Sequence, residues 1–260
     1  MSGLQTTTPV SAIRSGVSFG VDIGGTGIKG APVDVATGEL TGERVRIATP
    51  KPSTPDNVAD VVRRLVERHE WHGSVGVCMP SVVRHGVVGS TANIDAEWLG
   101  VDGERWFADA IGHSVHLLND ADAAGLAEMT WGAGRGRSGV VICVTFGTGI
   151  GSAVFVDGTL VPNTELGHLE LDGRVAERRA AASARRRDQI GWKAWGDRVD
   201  RYLQHLVMLF SPELIILGGG ASKRADKWVK RLDPDCEVAV ATLANDAGIA
   251  GAAMSAPRAD

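Results

Sequence analysis

Two glycine-rich turns of the same design interrupt this chain, each set between runs of strand-forming residues. The first reads Val21-Asp22-Ile23-Gly24-Gly25-Thr26-Gly27-Ile28-Lys29, the second Val144-Thr145-Phe146-Gly147-Thr148-Gly149-Ile150-Gly151, and apolar runs (31–35 and 152–156) follow them. This layout predicts two β-hairpins whose tight turns expose backbone N–H groups, which can hold a phosphate only where no Cβ intrudes. One such turn constrains little. Two, sharing Thr-Gly-Ile, predict a duplicated fold that grips a phosphorylated ligand from both halves.

Between and after the hairpins, strands alternate with helices. Over 56–69, Val58, Val61, Val62, Leu65 and Val66 share one helical face and Arg63, Arg64, Glu67 and Arg68 the other, with Ser53 and Thr54 before Pro55 as a helix start. Short buried strands are predicted at 75–79 and 115–118, the second running into the polar cluster Asn119-Asp120-Ala121-Asp122. Helical spacing returns over 121–129 and, at greater length, from Trp192 to Phe210. A buried strand at 214–217 leads into Gly218-Gly219-Gly220, and the small residues of 247–253 predict a C-terminal helix packed closely on a neighbour. The alternation predicts an α/β protein of two domains around a cleft. Residues 1–16 would form a flexible tail, 17–118 with 245–260 a smaller domain, and 119–244 a larger one. The cluster at Asn119 follows a strand directly, where an open α/β sheet places its ligands.

Composition narrows the function classes. With 43% apolar and 22% charged residues the chain reads as globular rather than disordered. No apolar run approaches the roughly 20 residues that span a bilayer, and the first 16 residues lack the basic start and apolar stretch of a signal peptide. A net charge of −4 speaks against a nucleic-acid binder. The scattered Cys78, Cys143 and Cys236 read as free thiols in a reducing cytoplasm. A cytoplasmic protein without membrane or nucleic-acid partners is therefore expected.

Five segments, in order, resemble the ROK family of sugar kinases and regulators, within the actin, Hsp70 and hexokinase fold. Asp22-Ile23-Gly24-Gly25-Thr26 and Thr145-Phe146-Gly147-Thr148-Gly149-Ile150-Gly151 look like its two phosphate motifs. Leu118-Asn119-Asp120-Ala121-Asp122 is similar to the segment carrying its catalytic aspartate, Glu165-Leu166-Gly167-His168 to its sugar motif, and Leu217-Gly218-Gly219-Gly220 to its nucleotide-side motif. One segment departs from the family. Where most ROK proteins carry a cysteine-rich zinc segment after the sugar motif, residues 169–188 contain no cysteine but include Arg174, Arg178, Arg179, Arg185, Arg186 and Arg187. With Asn93 and the run Leu160-Val161-Pro162-Asn163-Thr164, that departure resembles the family's polyphosphate-using glucokinases and glucomannokinases. No zinc is expected.

The resemblance implies transfer of the terminal phosphoryl group of polyphosphate, ATP or both to the C6 hydroxyl of glucose or mannose, and a homodimer is common in the family. It assigns general base to Asp120; phosphate contacts to Gly24, Gly25, Thr26, Lys29, Thr145, Gly147, Thr148 and Gly149; and the nucleotide side to Gly218, Gly219 and Gly220. Sugar contacts fall to Asn93, Asn119, Asp120, Glu165, His168 and Glu177. By its own chemistry, Asp120 could either accept the sugar's proton or cap a helix, and Asn119 could cap equally well. Asp22 beside a phosphate loop implies an intervening cation, Mg²⁺ held partly through water, or else a turn residue bonding its own loop. Arg178 and Arg185, like Arg179 and Arg186, are spaced to share one face of a helix, which the interspersed alanines favour. Such a face would hold a linear polyanion with strong salt dependence, or would simply be a solvated surface. Two alternatives stand beside this reading. One is a strictly ATP-dependent ROK kinase for glucose, fructose or an N-acetylhexosamine. The other is a sugar sensor without turnover, against which the intact Asp120, Asp22 and both loops argue.

Overall fold

A computed structural model describes residues 16–92 and 94–257. Apart from Gly16, the expected tail lies outside these residues, as does Asn93. Contacts divide the chain into two units, 16–127 with 246–257 and 128–245.

The first unit is built on a five-stranded sheet. The predicted hairpin forms β1 (Val17–Gly24) and β2 (Gly27–Asp34), with β3 (Val45–Ile47) antiparallel to β2. The helix α1 (Pro55–Arg68) begins where expected, the Thr54 side chain accepting from Asn57 N, and buries Val58, Val61, Val62, Leu65 and Val66. It returns the chain to β4 (Val75–Met79), parallel to β1. A small hairpin, β5 (Val83–Arg84) and β6 (Val87–Val88), and α2 (Gly103–Ile111) then precede β7 (Val115–Asn119), which runs parallel to β4. The sheet order is β3-β2-β1-β4-β7. Periodicity did not predict α2, because it buries only Gly103 and Phe107 and so lacks a full apolar stripe. From β7 the chain enters α3 (Asp120–Trp131) and passes into the second unit after Ala127.

The second unit repeats the topology. Its hairpin is β8 (Val140–Phe146) and β9 (Ile150–Val156), flanked by β10 (Thr159–Val161). A two-stranded ribbon, β11 (Glu170–Leu171) and β12 (Arg174–Val175), leads through α4 (Glu177–Ala180) and α5 (Ala182–Arg187) to the long α6 (Trp192–Phe210). The parallel strands β13 (Leu214–Gly218) and β14 (Glu237–Val240) complete a sheet of order β10-β9-β8-β13-β14. Each sheet thus has two antiparallel pairings on one side of its first strand and two parallel pairings on the other, the duplication that the paired turns predicted. Phe146, Trp195, Tyr202 and Trp228 are fully buried in this unit's core, and the rings of Trp195 and Trp228 meet edge-on at 4.8 Å.

The chain returns to the first unit in α7 (Ala247–Ser255), the helix of small residues. Gly20 and Gly76 are register partners on β1 and β4, and α7 lies against both. A Cβ on Gly20 would fall 2.0 Å from the Ile249 carbonyl oxygen, and one on Gly76 1.7 Å from that of Ala252. The helix can approach so closely only because neither side of the contact carries bulk.

One buried carboxylate braces the second unit. Glu128, 3% exposed, accepts from Ala133 N, Thr242 N, Thr242 Oγ1 and Leu243 N, at 2.8–3.3 Å. Replacing it (Glu128→Ala) leaves three backbone N–H groups without their acceptor, and we expect a loss of about 3 kcal/mol or more in denaturant unfolding. A loss below about 1 kcal/mol would show that water satisfies those groups equally well.

The expected basic helix is corrected by the structure. The arginine segment forms two short helices, α4 and α5, separated at Ala181, whose ψ of 154° is extended. The Trp195 indole N–H donates to the carbonyls of Ala180 and Ala181 at 3.0 and 3.1 Å, drawing them out of a continuous ladder. Ala176, Ala180, Ala181, Ala182 and Ala184 are buried, so these alanines serve close packing rather than helix propensity. Among the described residues, no helix is long and apolar enough to cross a membrane.

Candidate active site

In the first unit, β1 and β2 meet in the turn Gly25-Thr26, with Gly24 opposite Gly27. Asp22 stands directly across the hairpin from Lys29, and the Lys29 ammonium donates to Asp22 Oδ2 at 2.7 Å. Lys29 is therefore engaged with the Asp22 carboxylate. The turn is braced through its carbonyls: Arg46 Nη2 donates to Thr26 O at 2.6 Å, and Thr49 Oγ1 to Gly24 O at 2.5 Å. Beside the turn lies a cavity of about 60 Å³, lined by Gly24, Gly25, Thr49, Lys51 and Ser53 among others. Burial pushes the Cys78 thiol well up, and the Asp22 and Asp120 carboxylates add to the push.

At the end of β7 the structure settles the capping question. Asn119 Oδ1 accepts from Ala121 N at 2.8 Å and Asp122 N at 3.1 Å, while its Nδ2 donates to the Ser81 carbonyl at 3.1 Å. Asn119 thus caps α3, and Asp120 becomes the first helical residue. With its oxygen used twice and one N–H committed, the buried Asn119 amide has one hydrogen without a partner among the described residues.

In the second unit the phosphate turn, 147–149, closes with Gly147 N donating to Gly149 O at 3.0 Å. The arginine segment holds this turn. Ser183 Oγ donates to Thr148 O at 2.5 Å, Ser183 N to Gly147 O at 3.1 Å, and Glu177 Oε2 accepts from Ile150 N at 3.3 Å. A Cβ on Gly149 would sit 2.5 Å from that same Glu177 oxygen. The sugar motif is fastened to the same hairpin: Ser152 Oγ accepts from Leu166 N at 2.9 Å and donates to Thr164 O at 2.6 Å. His168 Nε2 lies 3.9 Å from Glu177 Oε1, which brings Glu177 into one group with His168 and Glu165. Burial holds the Glu165 carboxyl above its ordinary range, with Glu177 adding to the shift and His168 opposing it. Gly218 pairs with Thr145 across β13 and β8. Gly219 has φ +76°, and a Cβ there would meet Phe146 N at 2.6 Å, so both conformation and space require glycine.

The four arginines expected on one face are separated. Arg178 and Arg179 line a charged cavity, Arg185 lies over the Trp192 ring at 4.1 Å, and Arg186 is exposed. Sequence reasoning did not single out Arg46, Thr49, Ser152 or Ser183. Of these only Ser152 carried a signal, as a polar residue in an apolar strand run that proves 1% exposed.

Comparison with known proteins places this geometry. The profile described as "ROK family" matches residues 18–191. The chain belongs to the ROK family. This ROK chain is 46% identical, over 255 residues, to the polyphosphate glucokinase of Mycobacterium tuberculosis, covering 98% of this chain and 96% of that protein. Among solved structures, it resembles the inorganic polyphosphate/ATP-glucomannokinase of Arthrobacter sp. strain KM with a TM-score of 0.89 at 49% identity, over 93% of this chain and 98% of the other. It also resembles a ROK glucokinase from Streptomyces griseus in complex with glucose and AMPPNP, with a TM-score of 0.79 at 25% identity, over 93% and 99%. The duplicated sheets are thus those of a ROK sugar-kinase fold in the actin and hexokinase class. In this ROK chain the segment after the sugar motif is tied by arginine–aspartate pairs: Arg179 and Arg201 with Asp172, Arg187 and Arg198 with Asp188.

Proposed function

We propose that this ROK chain is a glucokinase that transfers the terminal phosphoryl group of polyphosphate, and of ATP, to the C6 hydroxyl of glucose. The observation that carries the reading is the position of Asp120 at the head of α3 with the capping taken by Asn119, in a chain alike almost end to end to a polyphosphate glucokinase. A sugar hydroxyl is a weak nucleophile at neutral pH, so Asp120 accepts its proton as the phosphoryl group departs from the donor. The turns at 24–26 and 147–149 hold the donor's phosphates through backbone N–H groups. Glu165, His168 and Glu177 supply donors and acceptors for the sugar hydroxyls, with the remaining Asn119 amide hydrogen. The likeness to a glucomannokinase supports mannose as a second acceptor.

Mg²⁺ fits the first turn. Asp22 Oδ2 is taken by Lys29, whereas among the described residues Oδ1 has only the Cys78 thiol, at 3.9 Å, so one carboxylate oxygen remains to hold the ion directly or through water. Bound there, Mg²⁺ would neutralise charge on the donor's phosphates. Among the described residues no group of three or more His, Cys, Asp or Glu side chains is placed to hold a metal.

The test is sugar 6-phosphate formation by the purified chain with Mg²⁺ and glucose, given polyphosphate free of nucleotide or given ATP. Product from both donors is expected, and omission of Mg²⁺ should remove it. Product from ATP alone would reduce the protein to an ATP-dependent kinase. Product from neither donor would overturn the kinase reading.

A further inference from the structure

A cavity of about 710 Å³ opens in the second unit, lined by Arg174, Arg178, Arg179, Arg187 and Arg198 against only Asp172 and Asp188. Two aspartates cannot neutralise five guanidinium groups. Asp172 pairs with Arg179 at 3.3 Å, and Asp188 with Arg187 at 2.9 Å and Arg198 at 2.6 Å. Arg187 and Arg198 are further committed, donating to the carbonyls of Arg178 and Arg179 at the end of α4. Those groups build the wall. The Arg174 and Arg178 guanidinium groups, by contrast, are exposed and have neither an ion pair nor a hydrogen bond among the described residues. A smaller cavity of about 230 Å³ shares Asp172, Arg179 and Arg198 with the first and is lined by Tyr202, whose buried hydroxyl has no hydrogen-bond partner among the described residues.

The helices that carry this wall are the same ones that hold the second phosphate turn. Glu177, next to Arg178, accepts from Ile150 N, and Ser183, at the start of α5, bonds to Thr148 and Gly147. The groups that hold the phosphate turn and most of this arginine wall are thus carried on one short segment, 174–187. We propose that the cavity grips the part of a linear polyphosphate lying beyond the reacting end, with Arg174 and Arg178 as its principal contacts. The inference rests on the polyphosphate reading of the proposed function. Guanidinium groups bind phosphate oxygens in pairs of parallel hydrogen bonds, and two uncompensated ones sharing a cavity favour a polyanion over any neutral ligand. Among the described residues no aromatic ring lines the larger cavity, so they offer no stacking surface for a nucleic-acid base. ATP, with three phosphates, has no distal chain to place there. The cavity would thus set preference for donor and chain length without touching the sugar.

The experiment compares wild type with a double variant, Arg174→Ala with Arg178→Ala, using long-chain polyphosphate and ATP as separate donors over a range of salt. We expect KM for long polyphosphate to rise at least about tenfold, and the slope of log KM against log salt to fall by about one or two, one for each phosphate contact removed. The ratio of polyphosphate- to ATP-supported kcat/KM should fall with it. Titration calorimetry with long polyphosphate, without glucose, should show the same weakening, and the charge-keeping pair Arg174→Lys with Arg178→Lys should retain the salt slope. An unchanged KM and slope would make the wall a solvated ion-pair network. An equal loss with both donors would mean that the segment acts only by bracing the phosphate turn. A wild-type protein active with ATP but not polyphosphate would remove the polyphosphate reading itself, a result visible before any variant is made.

Discussion

Asp120→Asn is expected to lower kcat by about 10²- to 10⁴-fold with either donor, the range over which a positioned general base contributes. Asparagine keeps the size and a hydrogen-bonding oxygen of the side chain but cannot take up the sugar's proton. The cap of α3 should survive, because the bonds that start the helix come from Asn119, to Ala121 N and Asp122 N. Thermal unfolding of this variant should therefore match wild type, whereas Asn119→Ala should lose about 1 kcal/mol through the missing cap. Steady-state kinetics beside an unfolding curve for both variants separates the two roles. An Asp120→Asn enzyme within tenfold of wild type would exclude Asp120 as the base.

Gly76→Val should be the most destabilising single change in the first unit, on the order of 4 kcal/mol or more, at the extreme of what one substitution does. The new Cβ would lie 1.7 Å from the Ala252 carbonyl oxygen, and the obstacle is helix backbone rather than a side chain that could turn aside. Relief requires α7 to move off the sheet, losing its contact with β1 as well as β4, because Gly20 sits beside Gly76 in register. The damage should also reach the candidate site. Gly248, in the first turn of α7, packs against Asp22, with only 3.2 Å between the position of its absent Cβ and Asp22 Cγ, and its carbonyl receives the Cys78 thiol at 3.5 Å. Denaturant unfolding measures the effect, with Gly25→Ala as the control. An added Cβ at Gly25 meets no atom within 4 Å, so unfolding there should shift by no more than about 0.5 kcal/mol. Comparable stability for the two variants would show that α7 is not held by close packing on these glycines.

Much of this was legible in the chain itself, though unevenly. The first hairpin turn and α1 stand where turn chemistry and helical spacing put them, and the small residues of 247–253 did mark a helix in close packing. The helix α2 was not legible, since it buries a single large apolar side chain. Glu177 came from the resemblance alone, in a segment that departs from the family, and it lies against both His168 and the turn at 147–149. The arginine segment misled in the opposite direction: its spacing and alanines described a helix that the Trp195 indole divides.

What the sequence by itself determined was the pair of glycine turns, the strand that ends in Asn119-Asp120, and the family to which the five motifs point. These features are encoded within a few neighbouring residues, where dihedral preference and side-chain period act directly. Only the tertiary structure decided that Asn119 rather than Asp120 caps α3, that Lys29 pairs with Asp22, and that Arg174 and Arg178 share one cavity while Arg185 stacks on Trp192. Each of those outcomes depends on which groups compete for a partner once the chain has folded. Thr49 reaches Gly24 across 25 positions and Trp195 reaches Ala180 across 15, separations at which local pattern carries no information about contact.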